Sequence, residues 1–306
     1  MDTKQIEYIL KIAEENNITK AAEKLFITQS ALNQQLLKLE KELGTPLLHR
    51  SRTNWRLTEA GEIYIEGAKA ALQIKNTTYN RIYDVVSARK GHLTIGLTPG
   101  RGLRMFTSIY PELHRSFPNL DVRPIEMRVR AQQDAIAKGE IDVGLMTLAR
   151  RDQTSDTYYP LKQEELVLII PAGHPLAEKA APSGEPLATL DLTELRYEPF
   201  VLMDKTSTLR SSCDLLFEKA GFAPNILFET NNTSGIAAMV QSTLCCGIIP
   251  RYYTLGLTEG VACFSLPERP SWEIVISCQK NGYLNSGARE FIRLAREYWE
   301  NSAPLF

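Results

Sequence analysis

The segment that decides the architecture runs from Ile18 to Leu43 and reads ITKAAEKLFITQSALNQQLLKLEKEL. Its apolar spacing predicts two helices separated by a short turn at Phe26-Ile27, which is the pattern of a helix-turn-helix. Thr28 is suited to cap the second helix, because its hydroxyl can accept a hydrogen bond from an unpaired amide of the first turn. We therefore expect the second helix to begin at Gln29.

The second helix has an apolar side and a polar side. We expect the apolar stripe, whose members are four, three and four residues apart, to be buried, and it consists of Leu32, Leu36, Leu39 and Leu43. The polar side consists of Ser30, Asn33, Gln34, Lys38 and Lys41, with Gln29 at its N-terminal edge. Amides can pair with an adenine edge and hydroxyls with either kind of base, so this side suits the major groove of DNA. The alternative is an ordinary amphipathic helix with a solvated polar side.

A basic segment follows the second helix. Gly44 is a natural helix stop, and residues 45–58 predict a two-stranded wing. Arg50, Arg52 and Arg56 occur there without any acidic residue, so they suit phosphate contacts that fix the register while the helix reads bases. The predicted DNA-binding residues are Thr28, Gln29, Ser30, Asn33, Gln34, Lys38, Arg50, Arg52 and Arg56.

Bulk properties exclude several classes of protein. The chain has 306 residues, enough for two or three domains, and its formal net charge is −1, so any affinity for DNA must come from a local patch. No apolar run approaches the roughly 20 residues of a membrane span, and the N-terminus has no signal-peptide core. We expect a cytoplasmic protein with no membrane partner.

Signals of catalysis and of metal binding are absent from the sequence. The four histidines are scattered, and there is no HExxH, no GxSxG and no complete phosphate-binding loop. The five cysteines form no CxxC pair and follow no zinc spacing. The sequence therefore predicts no enzyme, no cofactor and no metal site. For Cys245-Cys246 a soft-metal site and two buried small residues are both open, and the latter is favoured.

A long helix is predicted from Glu59 to about Ser87. Apolar residues recur there at near-heptad intervals, at Ile63, Ala70, Ile74, Ile82 and Val85. A helix of this length spans about 43 Å, which is too long for an internal element of a small domain. We interpret it as a linker helix that forms a homodimer.

From Gly91 onward, short apolar runs alternate with helical stretches, which is typical of an α/β domain with parallel strands. The runs are Leu93–Leu97, Val122–Met127, Asp142–Met146 and Leu166–Pro171, and the helix-like stretches between them are SIYPELHRSFPNL and AQQDAIAKGEID. The predicted fold class is therefore α/β, preceded by an all-α winged helix-turn-helix and a long linker helix.

The segments TKAAEKLFITQSALNQQLLKLEKELGTPLLHR and RLTEAG resemble the N-terminal domain of LysR-type transcriptional regulators. The likeness continues through GHLTIGLTPG, PELHRSFPNL, AIAKGEIDVGLM, ELVLIIPAGHPLA, VLMDKTSTLRSS and AAMVQSTLCCGIIP. The resemblance implies a bacterial regulator, usually a homotetramer, whose partners are promoter DNA, a small-molecule effector and RNA polymerase. It also implies an effector domain like a type 2 periplasmic binding protein, with two lobes hinged by two crossing strands.

The expected domains are 1–58 for DNA binding, 59–90 for the linker and 91–306 for the effector. In the last, lobe I comprises 91–161 and 267–306, and lobe II comprises 162–266. The chain departs from the family pattern at Ser30, where proline is frequent, at Asn33-Gln34, where serine and arginine are frequent, and at Leu37, where a basic residue is common. A subgroup that senses peroxide has a cysteine where this chain has Thr208, so sensing of that kind is disfavoured.

The effector site is predicted beyond the carboxyl ends of strands, where helix N-termini offer unpaired amides. The predicted residues are Thr98, Pro99, Gly100, Arg101, Met127, Arg128, Thr147, Met203, Asp204, Thr208, Asn232 and Thr233. By resemblance, Thr98, Met127, Thr147, Met203 and Thr233 fall at or beside positions of the family's pocket.

The arginines near this rim favour an anionic effector, with a carboxylate as the first hypothesis. They are Arg101, Arg104 and Arg128. Solvated or interfacial arginines are the alternative, and the Met and Thr residues also suit a neutral or partly apolar ligand. An alternative function is a ligand-binding protein or transferase on the solute-binding fold, with a helical domain that serves assembly only.

Overall fold

The computed structural model describes residues 2–49, 55–86, 89–182, 184–257 and 259–302. They form two compact units, of which the first contains the residues up to Val86 together with Lys138–Glu140 and the second the remainder. In the part of the chain that is described, no helix is both long enough and apolar enough to cross a membrane.

The first unit is a winged helix-turn-helix followed by a long helix. Its elements are α1 (Thr3–Glu15), α2 (Ile18–Lys24), α3 (Gln29–Leu43), β1 (Leu48–His49), β2 (Arg56–Leu57) and α4 (Glu59–Val85). The predicted cap is confirmed, because the Thr28 hydroxyl accepts a hydrogen bond from the amide of Ala31 at 3.2 Å. The two short strands pair antiparallel as the predicted wing, with Leu48 opposite Leu57.

The stripe of leucines on α3 is buried at three of its four positions. Leu32, Leu36 and Leu39 lie in a core that the other helices of the unit complete. Leu43 is 46% exposed, so the prediction that it is buried is wrong. It is the last residue of α3, and the chain turns away at Gly44 before Leu47 re-enters the core.

The long helix α4 has two different sides. Thr58 caps its N-terminus, and Tyr64 and Ala68 pack into the core of the first unit. The apolar residues predicted at near-heptad intervals do not pack into this core. They are exposed, and Val85 is 84% exposed. The predicted end of this helix near Ser87 lies outside the described residues.

The second unit contains a mixed sheet with helices. Its strands are β3 (Lys90–Leu97), β4 (Asn119–Glu126), β5 (Val143–Leu148), β6 (Thr157–Pro171), β7 (Pro199–Met203), β8 (Asn225–Thr230), β9 (Gly247–Pro250), β10 (Val261–Ser265) and β11 (Ser271–Cys278). Its helices are α5 (Arg101–Ser116), α6 (Val129–Ala137), α7 (Thr208–Ala220), α8 (Thr233–Gln241) and α9 (Ser286–Glu300). The α/β class is confirmed.

The sheet is not wholly parallel. The strand order is β10-β6-β11-β5-β3-β4, with β9 also paired to β6. Strand β3 pairs parallel with β4 and β5, whereas β6 and β11 run antiparallel to their neighbours. The expectation of parallel strands therefore holds for the part of the sheet near β3 and for the separate β7-β8 pair.

Strand β6 is much longer than the predicted run Leu166–Pro171. Its first half contributes Tyr159 and Leu161 to a core around β3, α5 and α9, and its second half contributes Leu166 and Leu168 to a core around β7 and α7. One strand thus passes through two cores. The sequence concealed its first half because Lys162, Gln163, Glu164 and Glu165 interrupt the apolar pattern.

We predict that Gly61→Ala destabilises the first unit. A Cβ at Gly61 would lie 2.0 Å from the carbonyl oxygen of Leu47, so backbone must move, and overpacking of this kind typically costs about 1–3 kcal/mol. Gly67→Ala in the same helix is the matched control, because no described atom lies within 4 Å of its Cβ. Thermal unfolding should show a lower midpoint for Gly61→Ala only. Equal midpoints would contradict this packing.

Candidate functional site

The predicted reading side of α3 faces outward. Gln29, Ser30, Gln34 and Lys38 are exposed, and Asn33 is half-buried. Their amide and ammonium groups are therefore accessible to an external partner, with Asn33 the least accessible of the set. Accessible amides on the first turns of a second helix are what base readout in the major groove requires.

The hydroxyl of Thr28 contacts both the backbone of α3 and a side chain of its predicted reading side. Besides accepting the bond from Ala31, it lies 3.1 Å from the hydroxyl of Ser30. This exposed pair is held at the start of α3. We infer that Thr28 positions the reading side, with little freedom to adapt to a base.

Of the three predicted wing arginines, only Arg56 can be placed. It is exposed on β2 and pairs across the wing with His49, which is also exposed. Arg50 and Arg52 lie outside the described residues. Trp55 anchors this wing, because its amide donates to the carbonyl of Asn16 at 3.0 Å and its ring packs against the core of the unit.

A cavity of about 910 Å³ lies in the second unit. Eleven of the twelve predicted effector residues line it, which are Thr98, Pro99, Gly100, Arg101, Arg128, Thr147, Met203, Asp204, Thr208, Asn232 and Thr233. Met127 is not among the lining residues. Its side chain packs against a buried cluster that includes Val129 and Ile136, and its amide, directly after β4, donates to the carbonyl of Leu97 at 2.9 Å.

Four helices begin at this cavity, because the first residues of α5, α6, α7 and α8 all line it. Helix α5 starts after Gly100, whose φ of 73° is unfavourable for other residues, and no described side chain caps it. Helices α7 and α8 are capped by Ser207 and Asn232, and both caps line the cavity. The first-turn amides of helices carry partial positive charge, so the cavity is suited to negative groups.

Arg101 forms the floor of the cavity and is 7% exposed. Its guanidinium donates to the carboxylate of Glu164 and, at 2.9 Å, to the hydroxyl of Thr147. Burial disfavours its charge, but the Glu164 carboxylate, together with Tyr253 and Tyr252, raises the pKa of Arg101 overall. Arg101 is therefore a charged group whose charge is already compensated, which corrects its predicted position on the rim.

Glu164 is fully buried and holds four structural elements together. Besides Arg101 of α5, it accepts hydrogen bonds from the indole of Trp272 at 2.7 Å and from the amide of Tyr252 at 2.9 Å. The rings of Tyr252 and Tyr253 lie 5.4 and 5.7 Å from the guanidinium carbon of Arg101, within the range of a cation–π contact. This network fixes the floor of the cavity.

Glu164 and the three aromatic residues were not predicted from the sequence. Trp272 follows Ser271 at the start of β11, and Tyr252 and Tyr253 follow Pro250 at the end of β9. The available signal was the pair Glu164-Glu165 next to the apolar run that begins at Leu166. Acidic residues are almost never buried without a partner.

Arg128 and Asp204 form an ion pair on the wall of the cavity, at 2.8 Å. Arg128 precedes α6 and Asp204 follows β7, so the pair joins the two parts of the unit that β6 connects. Burial tends to raise the pKa of Asp204, but hydrogen bonds from Thr206 and the charge of Arg128 lower it overall. Asp204 is therefore ionised at neutral pH and holds Arg128 in place.

Arg104 is the remaining cationic residue of the lining. Its side chain is exposed, one turn into α5, and among the described residues no ion pair joins it to an acid. Of the three predicted arginines, Arg104 is thus the most available to a negative ligand.

Comparison with known proteins assigns both units. A family model for the LysR substrate binding domain matches residues 87–300, and one for the bacterial regulatory helix-turn-helix of the lysR family matches residues 3–62. This chain belongs to the LysR family of transcriptional regulators. The family model thus assigns the cavity to a substrate-binding domain.

Relatives of this LysR-type regulator align over nearly its whole length. The Bacillus subtilis (strain 168) HTH-type transcriptional regulator YcgK is 29% identical over 97% of this chain and 94% of its own. The Hca operon transcriptional activator HcaR of Escherichia coli (strain K12) is 27% identical over 97% of this chain and 98% of its own.

Solved structures agree in fold. A full-length OxyR variant from Pseudomonas aeruginosa has a TM-score of 0.68 and 21% identity, covering 98% of this chain and 95% of that one. CbnR complexed with its target DNA has a TM-score of 0.67 and 21% identity, covering 97% and 100%.

The buried cysteines of this LysR-type chain include Cys213, Cys245 and Cys246. Cys213, one turn beyond Thr208, is buried, and burial raises its pKa to about 12. Cys245 and Cys246 are also buried, and burial raises the pKa of Cys246 to about 12. Reactive cysteines require thiolate character and access, and these three have neither.

We predict that Glu164→Gln destabilises the second unit strongly. The change leaves the buried Arg101 charge without its anion, and breaking one partner of a buried pair costs about 3–5 kcal/mol. The control is Glu268→Gln, because Glu268 pairs with Lys219 and both side chains are largely exposed. Denaturant unfolding should separate the two variants clearly. Similar midpoints would show that Arg101 is not held by Glu164.

Proposed function

We propose that this LysR-type regulator reads promoter DNA with α3 and the wing, and that a small-molecule effector in the cavity gates this activity. The observation that carries the first half is the outward polar side of α3 beside an exposed Arg56. The second half rests on a large cavity whose walls come from both sides of β6. The protein acts by binding, in our proposal, and not by catalysis.

The roles on DNA divide by chemistry. Gln29, Ser30 and Gln34 contact base edges, while Lys38 and the wing arginines Arg50, Arg52 and Arg56 contact phosphates. Thr28 and Asn33 contribute less to the base contacts, because Thr28 caps α3 and Asn33 is half-buried. A phosphate contact is blind to sequence, whereas a bidentate amide contact discriminates by about 1–3 kcal/mol.

Self-association through α4 follows from its exposed side. The exposed apolar residues Ile63, Ala70, Ile74, Ile82 and Val85 recur at intervals that suit packing against a second copy. A homodimer would then offer two reading helices to a site with two-fold symmetry. A homotetramer and contact with RNA polymerase are further expectations from the family resemblance.

The cavity favours a small carboxylate as effector. Arg104 and Arg128 supply positive charge, four helices begin there, and Thr98 and Thr233 are lining residues. Arg128 is shared with Asp204, so a carboxylate that approaches it must compete with or join an existing ion pair. Effector binding would then alter the contact between the two parts of the unit, which is a direct way to gate the protein.

We predict that Gln29→Ala changes base preference whereas Arg56→Ala weakens binding on every duplex. Loss of one phosphate contact should also reduce the slope of log affinity against log salt by about 0.9. Mobility shifts on the DNA upstream of the chain's own gene, and on random duplex, measure both effects. Gln35→Ala is the matched control, because Gln35 is exposed on α3 but lies outside the arc of the helix that runs from Gln29 to Gln34. Parallel losses for Gln29→Ala and Arg56→Ala would refute the division of roles.

We predict that a small carboxylate found by thermal-shift screening of the full chain requires Arg104 and Arg128. At 100 times its dissociation constant such a ligand stabilises by about 2.7 kcal/mol. Arg104→Gln and Arg128→Gln should reduce the shift, and Arg150→Gln should not, because Arg150 is exposed and outside the lining. If the uncharged amide of the same ligand gives an equal shift, the carboxylate hypothesis is wrong.

A further inference from the structure

Phe26 combines two unfavourable features in the turn of the helix-turn-helix. Its side chain is 95% exposed, and its backbone has φ of 54°. Large apolar side chains are usually buried, and a bulky residue at positive φ is uncommon. Neither feature alone indicates a function, but both occur at one residue, three positions before the first residue of α3.

The backbone of Phe26 forms a helix stop of the kind that normally uses glycine. Its amide donates to Glu23 at 3.1 Å, and the amide of Ile27 donates to Ala22 at 3.1 Å. Helices α1 and α3 stop at Asn16, with φ of 49°, and at Gly44, with φ of 73°. Asn and Gly tolerate this conformation, whereas other residues lose roughly 1–2 kcal/mol in it.

Packing does not explain the choice of Phe. Ile27, the next residue, packs against the core of the first unit, while Phe26 remains in solvent. Strain that persists without a folding benefit tends to occur at functional sites. The Cα of Phe26 also lies no more than about 11 Å from that of Gln29, because only two residues lie between them.

We propose that Phe26 is a DNA-contact residue whose ring packs on apolar groups at the edge of the half-site. This inference rests on the proposed reading role of α3. A thymine 5-methyl group and the carbon face of a deoxyribose offer the same apolar chemistry, and Phe is among the side chains that contact thymine methyls. The cost of the strained turn is offset when the protein is bound to DNA, where the ring is removed from water.

The test compares Phe26→Gly and Phe26→Asn with the unaltered full-length chain. Both replacements suit positive φ, so thermal unfolding should move to a higher midpoint, while the dissociation constant for the upstream DNA increases about fivefold or more. Asn is less flexible than Gly, so equal loss of affinity in the two variants excludes loosening of the turn as the cause. Thr243→Gly is the matched control, because Thr243 also has positive φ, of 66°, just after a helix, and it lies in the second unit, so DNA affinity should be unchanged.

Changes in the DNA distinguish a contact with a thymine methyl group from a contact with a deoxyribose. Replacing thymines of the half-site one at a time by deoxyuridine removes single methyl groups. If Phe26 contacts a thymine, deoxyuridine at one position should weaken binding of the unaltered chain but not of Phe26→Gly. If Phe26 contacts a deoxyribose, no position should behave in this way, although both Phe26 variants still lose affinity.

If both Phe26 variants bind as tightly as the unaltered chain, the inference is overturned and the proposed function stands. If the unaltered chain retards no duplex at low salt, the proposed function fails first.

Discussion

The burial of one side of α3 determines what its other side can do. Leu32, Leu36 and Leu39 are fixed in the core, and a helix that is fixed at three points along one stripe cannot rotate. Gln29, Ser30 and Gln34 are consequently held outward, and Thr28 fixes where the helix begins. A helix backbone that is already fixed by packing loses less conformational entropy on binding, so the leucine stripe would support the proposed recognition indirectly.

A comparable constraint organises the second unit, but there it comes from a buried charge and not from apolar packing. The carboxylate of Glu164 is in the middle of β6, a strand that passes through both cores, and it binds a guanidinium, an indole and a backbone amide. Removing such a charge from water is costly unless every partner is present. The elements that carry Arg101, Tyr252 and Trp272 must therefore keep their places around the cavity. The Arg128–Asp204 pair, by contrast, is partly exposed and can exchange partners.

Local pattern was sufficient to predict the helix-turn-helix, its cap at Thr28, the long helix and the strands around β3, because these depend on periodicity and on turn chemistry. It failed where a residue's environment is made by distant parts of the chain. Leu43 fits the stripe but lies past the end of the core, and Met127 ends a strand but turns into a packed cluster. Arg101 and Arg128 look alike in sequence, yet one is buried against Glu164 and the other is paired with Asp204. Long-range charge pairs leave no local signal.

The central claim, that α3 enters the major groove of duplex DNA, is tested most directly by methylation interference with the full-length chain on DNA upstream of its own gene. Guanine N7 lies in the major groove, so methylation there blocks a reading helix. The account predicts interference at two clusters of guanines related by two-fold symmetry, with centres about 10 base pairs or a multiple of that apart. Retarded DNA in which methylated guanines are tolerated everywhere would contradict it.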